Sequence, residues 1–233
     1  MRRSGRVVRQ VLDSLRTMVA PGVSTMDLER AAEKQIQDAG AKPAFKGYYD
    51  YPCVLCTSIN EEIVHGIPSE KRVLKTGDIV SIDCGVVLDG YYGDAAITVP
   101  VGDKVGDDLK KLLEVTEASL YKGIEQARIG NSVGDVGAAV QEYVEANGFS
   151  VVREFVGHGI GTRLHEEPQV PNFGRRGLGT ISLHRRRRLV RVDRLGRRAV
   201  PSTLRVISRP STVPAERRKL LNADDVTTSR TTP

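Results

Sequence analysis

The sequence predicts an α+β fold made of two similar halves, based on a hairpin, two pairs of helices and an internal repeat. Residues 79–99 read as two strands joined by Asp-Gly at 89–90, a dipeptide typical of tight hairpins. One pair of helix patterns precedes this hairpin and another follows it. A shift of 108 residues superimposes turn and cap residues of the two pairs, namely Gly22 on Gly130, Ser24 on Ser132, Asp27 on Asp135, Ala31 on Ala139 and Gly40 on Gly148.

The first half is expected to hold two helices followed by strands. The spacing of apolar residues predicts a helix over 5–19, which a Pro-Gly pair ends. A second helix over 24–39 begins with a capping-box-like pair of Ser and Asp and closes at Gly40. A strand is predicted over 54–58, and turn residues then lead into the hairpin.

The second half repeats the helix pair, with helices predicted over 107–128 and 133–147. Residues 149–156 then read as a strand. Fewer residues remain for strands here than in the first half, because the composition changes near Gly177. The last strands of this half are therefore expected to be missing or replaced.

The charge of the chain divides at the same place. Residues 1–177 carry 21 Lys and Arg against 25 Asp and Glu, whereas residues 178–233 carry 14 against 4. All seven Tyr and all four Phe lie before residue 178. We therefore expect one domain over 1–177 and an Arg-rich, disordered tail over 178–233.

Several classes of protein are disfavoured. The chain holds no apolar run near the roughly 18 residues of a membrane span, and its N-terminus lacks a signal-peptide core. Three cysteines, an odd number, favour a reducing cytoplasm over a disulfide scaffold. Cys53 and Cys56 form a lone C-x-x-C, for which a structural role is favoured over a metal or redox role.

Two aspartates share one face of the predicted hairpin. Side chains alternate along a strand, so Asp83 lies on the face opposite the apolar residues of its strand. A two-residue loop sets Gly85 opposite Asp94, which makes Asp83 and Asp94 diagonal neighbours about 7–8 Å apart. Carboxylates this close become neutral or share a cation. The alternative, two ordinary exposed strand residues, stays open at this point.

A histidine in the second half favours the cation. His158 lies between glycines in the run 157–161, just past the predicted strand. With two carboxylates, its imidazole completes a mixed oxygen and nitrogen set that suits Mn, Fe, Co or Zn. The glycine run does not follow the G-x-G-x-x-G pattern, so a dinucleotide site is rejected.

Five stretches of the chain carry a family likeness: PAFKGY at 43–48, CTSINEEIVHGIP at 56–68, DCGV and DGYYGD within 83–94, GHGIG at 157–161 and HEEPQVPN at 165–172. In these stretches the chain resembles the type I methionine aminopeptidases, and the likeness covers 1–177 almost end to end. It implies the pita-bread fold, a pseudo-two-fold α+β domain with a centre of two divalent ions (Co, Mn, Fe or Zn). It also implies removal of the initiator methionine.

The resemblance assigns roles to individual residues. Asp83 resembles the terminal metal ligand, Asp94 the bridging carboxylate and His158 the imidazole ligand. His65 and His165 resemble the catalytic histidines that bind the substrate near the scissile peptide. Candidates for lining a small pocket for the methionine side chain are Tyr48, Cys56 and Phe155. The implied partners are the N-termini of nascent polypeptides, met in the cytoplasm by a monomer, with the ribosome as a further candidate and no membrane.

The chain departs from the family after residue 177. The family has two further Glu ligands on later strands, one of them in a Glu-Pro context, and neither is present. The only Glu beyond this point is Glu216, with no strand pattern around it. Our hypothesis is that the Arg-rich segment is the product of a coding sequence that is read in a shifted frame. Three ligand side chains are expected to bind metal weakly, so low activity is expected for this chain.

A second function class remains open, a catalytically inactive pita-bread binding protein whose basic tail contacts RNA or the ribosome. The tail has the charge for phosphate binding but no aromatic residues for stacking on bases. A creatinase-like or prolidase-like hydrolase is disfavoured, since the short N-terminal segment leaves no room for an extra domain.

Overall fold

The computed structural model describes residues 1–178 and residues 206–207. The elements of the first half are α1 (Arg2–Met18), α2 (Thr25–Asp38), β1 (Lys42–Pro43), β2 (Leu55–Ile59), β3 (Ile79–Leu88) and β4 (Tyr91–Pro100). Those of the second half are α3 (Asp107–Gln126), α4 (Val133–Ala146), β5 (Ser150–Val151), β6 (Gly157–Gly159), β7 (Glu166–Val170) and β8 (Val206–Ile207). This order confirms the prediction that helices precede strands in each half.

β3 is the central strand of an antiparallel sheet. It pairs along one edge with β4 over its whole length, and along the other edge with β2 and β1. Gly85 lies opposite Asp94, as the two-residue loop predicts. In the same register Asp83 lies opposite Ala96, so the two aspartates are diagonal neighbours on one face.

Helices cover the apolar face of this sheet. Apolar residues of α1 at helical spacing pack against β3 and β4, and α2 adds to the same core. The residues of β3 buried on this side are Val80, Ile82, Cys84 and Val86. Because the helices cover this face, the carboxylates project from the opposite face.

A buried carboxylate of α2 fixes the start of β2. Glu29 is only 6% exposed and accepts hydrogen bonds from the backbone N–H groups of Val54 and Leu55, at 2.7 and 2.9 Å. Burial raises the pKa of Glu29, and the two donors lower it by less. The strand that begins here sets Cys56 opposite Asp83. Glu29 therefore helps to position the strand beside the candidate site.

The internal repeat is visible in the backbone. In each half a serine caps the second helix by accepting from the backbone N–H three residues on, and the aspartate there accepts from the N–H of the serine. These capping boxes are Ser24 with Asp27 and Ser132 with Asp135. The same helices are followed by glycines with left-handed φ angles, 65° at Gly40 and 86° at Gly148. The two halves therefore share local geometry as well as residue types.

Removing one of these caps should cost a modest part of the stability. The variant Ser132→Ala leaves the backbone N–H of Asp135 without its side-chain acceptor, and we expect the free energy of unfolding to fall by about 1 kcal/mol. Urea-induced unfolding measures this change. Ser24→Ala should cost a similar amount, and wild-type stability in both variants would contradict the capping role.

The predicted strand at the start of the second half is wrong over most of its length. β5 ends at Val151, and residues 152–156 are irregular. Val152 is buried next to buried Val151, which breaks the alternation that a strand with one covered face requires. In the described residues β5 pairs with the two residues of β8, and β6 pairs with β7, both antiparallel.

The Arg-rich segment is described only in small part. Apart from Leu178 and the backbone of 206–207, the disordered tail predicted over 178–233 lies outside the described residues. In the part of the chain that the structure does describe, no helix is both long and apolar enough to cross a membrane.

Candidate metal centre

The hairpin places Asp94 beside His158 in a poorly solvated position, which we call the recess. Its side chain is 9% exposed, and its Oδ1 is buried and accepts no hydrogen bond from the described residues. Such an oxygen is costly unless a proton or a cation compensates for the lost water. Asp83, its diagonal neighbour, is half-buried on the same face. The two predicted carboxylate ligands therefore lie side by side.

The second half brings the imidazole of His158 to this recess. The backbone N–H of Tyr92 donates to the carbonyl oxygen of Gly161 at 2.8 Å and ties the loop after β6 to the hairpin. His158 Nε2 lies 3.6 Å from Asp94 Oδ2. His158 Nδ1 lies 2.9 Å from the carbonyl oxygen of Gly159, so the neutral ring carries its proton on Nδ1. Nε2 then presents its lone pair on the side of Asp94, as a metal-ligating histidine does.

Two opposed effects act on the pKa of His158. Burial lowers this pKa, whereas the attraction of Asp94 and the carbonyl oxygen of Gly159 raise it and prevail. The pKa of His158 therefore lies above its ordinary value. The negative potential that holds a proton on this ring also attracts a cation.

His165 is exposed and lies next to His158. The centroids of the His165 and His158 rings are 4.2 Å apart. The Nδ1 atom of His165 lies 2.8 Å from the hydroxyl oxygen of Tyr48. Partial burial and the charge of His158 lower the pKa of His165. Its imidazole is therefore neutral near pH 7 and can donate or accept one hydrogen bond at each nitrogen.

His65 is exposed and has an unusual backbone conformation. Its φ is 59°, a left-handed value that is uncommon outside glycine and is often found at functional sites. Its ring meets Phe155 edge to face at 6.0 Å. The next residue, Gly66, approaches the sheet so closely that a Cβ there would lie 2.1 Å from the carbonyl oxygen of Thr57. The charge of His65 also lowers the pKa of His165, so the two histidines are within electrostatic reach.

Most of the site predicted from the sequence is brought together. Asp94, His158 and His165 form one continuous group, and Asp83 adjoins it in the sheet. The contact that sequence reasoning missed is the hydrogen bond between Tyr48 and His165, since the resemblance suggests only a pocket-lining role for Tyr48. The two residues are 117 positions apart, and no motif spacing connects them.

The described residues offer donor atoms that suit a divalent ion, but they do not form a complete set of metal ligands. Two carboxylates and an imidazole are donors that Mn, Fe, Co and Zn accept, and the buried Oδ1 of Asp94 would gain from a cation. Within residues 1–178 and 206–207, however, no three His, Cys, Asp or Glu side chains are grouped closely enough to hold a metal ion. The two Glu ligands of the resemblance would have to come from beyond Gly177, where Glu216 is the only Glu.

Comparison of the sequence with known proteins finds metallopeptidases, among them methionine aminopeptidases. The family model described as metallopeptidase family M24 matches residues 1–189. The chain is 50% identical over 184 residues to a methionine aminopeptidase of Clostridium acetobutylicum, which covers 79% of this chain and 73% of that protein. It is 53% identical over 174 residues to methionine aminopeptidase 1 of Bacillus subtilis, which covers 75% of this chain and 69% of that protein.

Comparison of the folds agrees with these sequence matches. A crystal structure of methionine aminopeptidase from Thermotoga maritima matches with a TM-score of 0.76 at 44% identity, over 78% of this chain and 72% of that one. The predicted α+β class and pita-bread fold are thereby confirmed. The family match extends past the boundary predicted at Gly177.

Proposed function

Because this chain belongs to metallopeptidase family M24, we propose that it removes the initiator methionine from nascent polypeptides. Its relatives make it a metallo-aminopeptidase that resembles the type I methionine aminopeptidases. The substrates are free N-termini that begin with methionine, and the reaction takes place in the cytoplasm. The proposed cofactor is a pair of divalent ions. A bound pair would supply Lewis-acid activation of water and of the peptide carbonyl group.

One observation supports the proposal more than any other. The carboxylate of Asp94 and the imidazole of His158 come from opposite halves of the molecule and meet at 3.6 Å in a recess. Both side chains are largely buried, with 9% of Asp94 and 17% of His158 exposed. Burial of ionisable side chains is unfavourable unless they pair with each other or bind an ion. The buried Oδ1 of Asp94, which accepts no hydrogen bond from the described residues, would gain from a bound cation.

The two exposed histidines are suited to the substrate. We assign to His165 a hydrogen bond to the scissile peptide, where a neutral imidazole N–H stabilises negative charge that develops on the carbonyl oxygen. We assign to His65 a contact with the peptide or the relay of a proton. Both residues are exposed, so the end of a polypeptide chain can reach them.

The proposal predicts that metal binding depends on Asp94. In a titration of the full chain with Co²⁺, followed by its visible absorption, we expect weak binding in the wild type. In the variant Asp94→Asn we expect the affinity to fall by at least about tenfold, because a carboxylate ligand is lost. The matched control Asp103→Asn removes an exposed loop carboxylate and should leave the affinity unchanged.

Release of methionine from a Met-Gly-Met peptide tests the activity itself. With Co²⁺ or Mn²⁺ added we expect slow turnover that Asp94→Asn abolishes. Equal Co²⁺ affinity in the wild type and in Asp94→Asn would contradict the proposed site. Turnover in the usual enzyme range of about 1–10³ s⁻¹ would contradict the proposed loss of two ligands.

A further inference from the structure

Tyr48 makes a polar contact that links the first half of the chain to a histidine of the second. Its hydroxyl oxygen lies 2.8 Å from Nδ1 of His165, which is the usual length of a hydrogen bond. The two rings are tilted by 41°, with their centroids 5.4 Å apart, so the contact is through the polar atoms and not through stacking. The hydroxyl therefore occupies one of the two nitrogens of His165.

The backbone that presents Tyr48 is held in an unfavourable conformation. Tyr49 and Asp50 have φ angles of 46° and 61°, in the left-handed region that costs non-glycine residues free energy. Backbone hydrogen bonds fix the turn on both sides, from the N–H of Tyr48 to the oxygen of Phe45 at 2.9 Å and from the N–H of Tyr51 to the oxygen of Tyr48 at 3.1 Å. Conformations of this kind persist where the surrounding structure imposes them, and here the result is a fixed position for the Tyr48 ring.

The chemistry of the two groups favours one direction for this hydrogen bond. A phenol donates readily to an unprotonated imidazole nitrogen, and the proton of the neutral ring then lies on Nε2. The ring of His165 packs on His158, which lies beside Asp94. The donor character of the phenol favours Nδ1 of His165 as the acceptor from Tyr48.

We propose that Tyr48 is a positioning residue that holds His165 as the Nε2–H tautomer, so that His165 donates a hydrogen bond to the peptide in the recess. This role rests on the proposed function. It deepens that function by naming the group that orients one of the two histidines at the substrate. Tyr48 itself acts through His165 and not on the reacting atoms.

The tautomer can be measured directly in the full chain labelled with ¹⁵N-histidine. At pH 8, two-bond ¹H–¹⁵N correlation spectra distinguish a protonated imidazole nitrogen from an acceptor nitrogen, and loss of one set of signals in His165→Gln assigns His165. For the wild type we expect Nε2 protonated and Nδ1 shifted as a hydrogen-bonded acceptor. In Tyr48→Phe we expect the Nδ1 signal to move toward that of an imidazole nitrogen without a hydrogen bond, with the second tautomer becoming populated.

The control variant is Tyr121→Phe, which removes the hydroxyl of an exposed tyrosine on α3 and should leave the His165 signals in place. A protonated Nδ1 in the wild type would overturn the proposal, and so would unchanged His165 signals in Tyr48→Phe. The measurement needs neither metal nor turnover. Failure of methionine release would therefore count against the proposed function alone, and a wrong tautomer would count against the role of Tyr48 alone.

Discussion

Replacing residues 178–233 with the matching C-terminal segment of the Bacillus subtilis relative should raise methionine release by about a hundredfold or more. The resemblance requires two Glu ligands in that segment, and this chain supplies none at family-like positions. Loss of an outer-shell group alone commonly costs about 10–100-fold in metal affinity or activity, so loss of two direct ligands should cost at least as much. Initial rates at saturating Co²⁺ or Mn²⁺ measure the gain.

The same chimera carrying Asp94→Asn is the control, because it keeps the new ligands and loses one from the hairpin. We expect it to return to the low rate of the wild-type chain. If the chimera itself released methionine no faster than the wild-type chain, the shortage of ligands would not be the cause of low activity. Resequencing the gene around codon 177 tests the shifted-frame hypothesis separately, since alternative frames without a family-like reading would exclude it.

The variant Glu29→Ala should lower the free energy of unfolding by about 2–6 kcal/mol. It leaves the buried N–H groups of Val54 and Leu55 without an acceptor, and each such group costs about 1–3 kcal/mol. Urea-induced unfolding measures the loss. The matched variant Glu33→Ala removes a neighbouring carboxylate that pairs with exposed Lys46, and it should change stability by less than about 1 kcal/mol. Equal costs in the two variants would contradict the anchoring role.

The charge of Glu29 also gives this effect a pH dependence. Burial raises the pKa of Glu29 in the folded chain, so the folded state binds the proton more tightly than the unfolded state. The stability that this group contributes is therefore greatest below the ordinary Glu pKa and is lost as the pH rises through the raised value. Unfolding of the wild type compared with Glu29→Gln should show this decline, and a difference that grows with pH would contradict it.

Local features of the fold could be predicted because their causes are local. The Asp-Gly turn and the alternation along β3 determine the register that sets Gly85 opposite Asp94. The two capping boxes could likewise be predicted, because each depends on residue types within a stretch of four residues. The strand predicted over 149–156 failed beyond Val151, because its length depends on a partner strand distant in the sequence.

The candidate site divides in the same way. Asp83 and Asp94 could be placed together from the pattern of one hairpin, whereas His158 was joined to them only through chemistry and the family resemblance. The contact of Tyr48 with His165 depends on how the two halves pack, and a strained turn presents it. The periodicity of apolar residues and the spacing of motifs do not depend on how the two halves pack. The contact could therefore not be predicted from them.

The central claim is that carboxylates of the hairpin and an imidazole of the second half act on one cation. Anomalous diffraction from crystals of the full chain soaked in Mn²⁺ tests it most directly. We predict a peak between the Asp94 carboxylate and His158 Nε2. Mn²⁺ bound elsewhere with no density at that position, or no bound Mn²⁺ at all, would contradict the account.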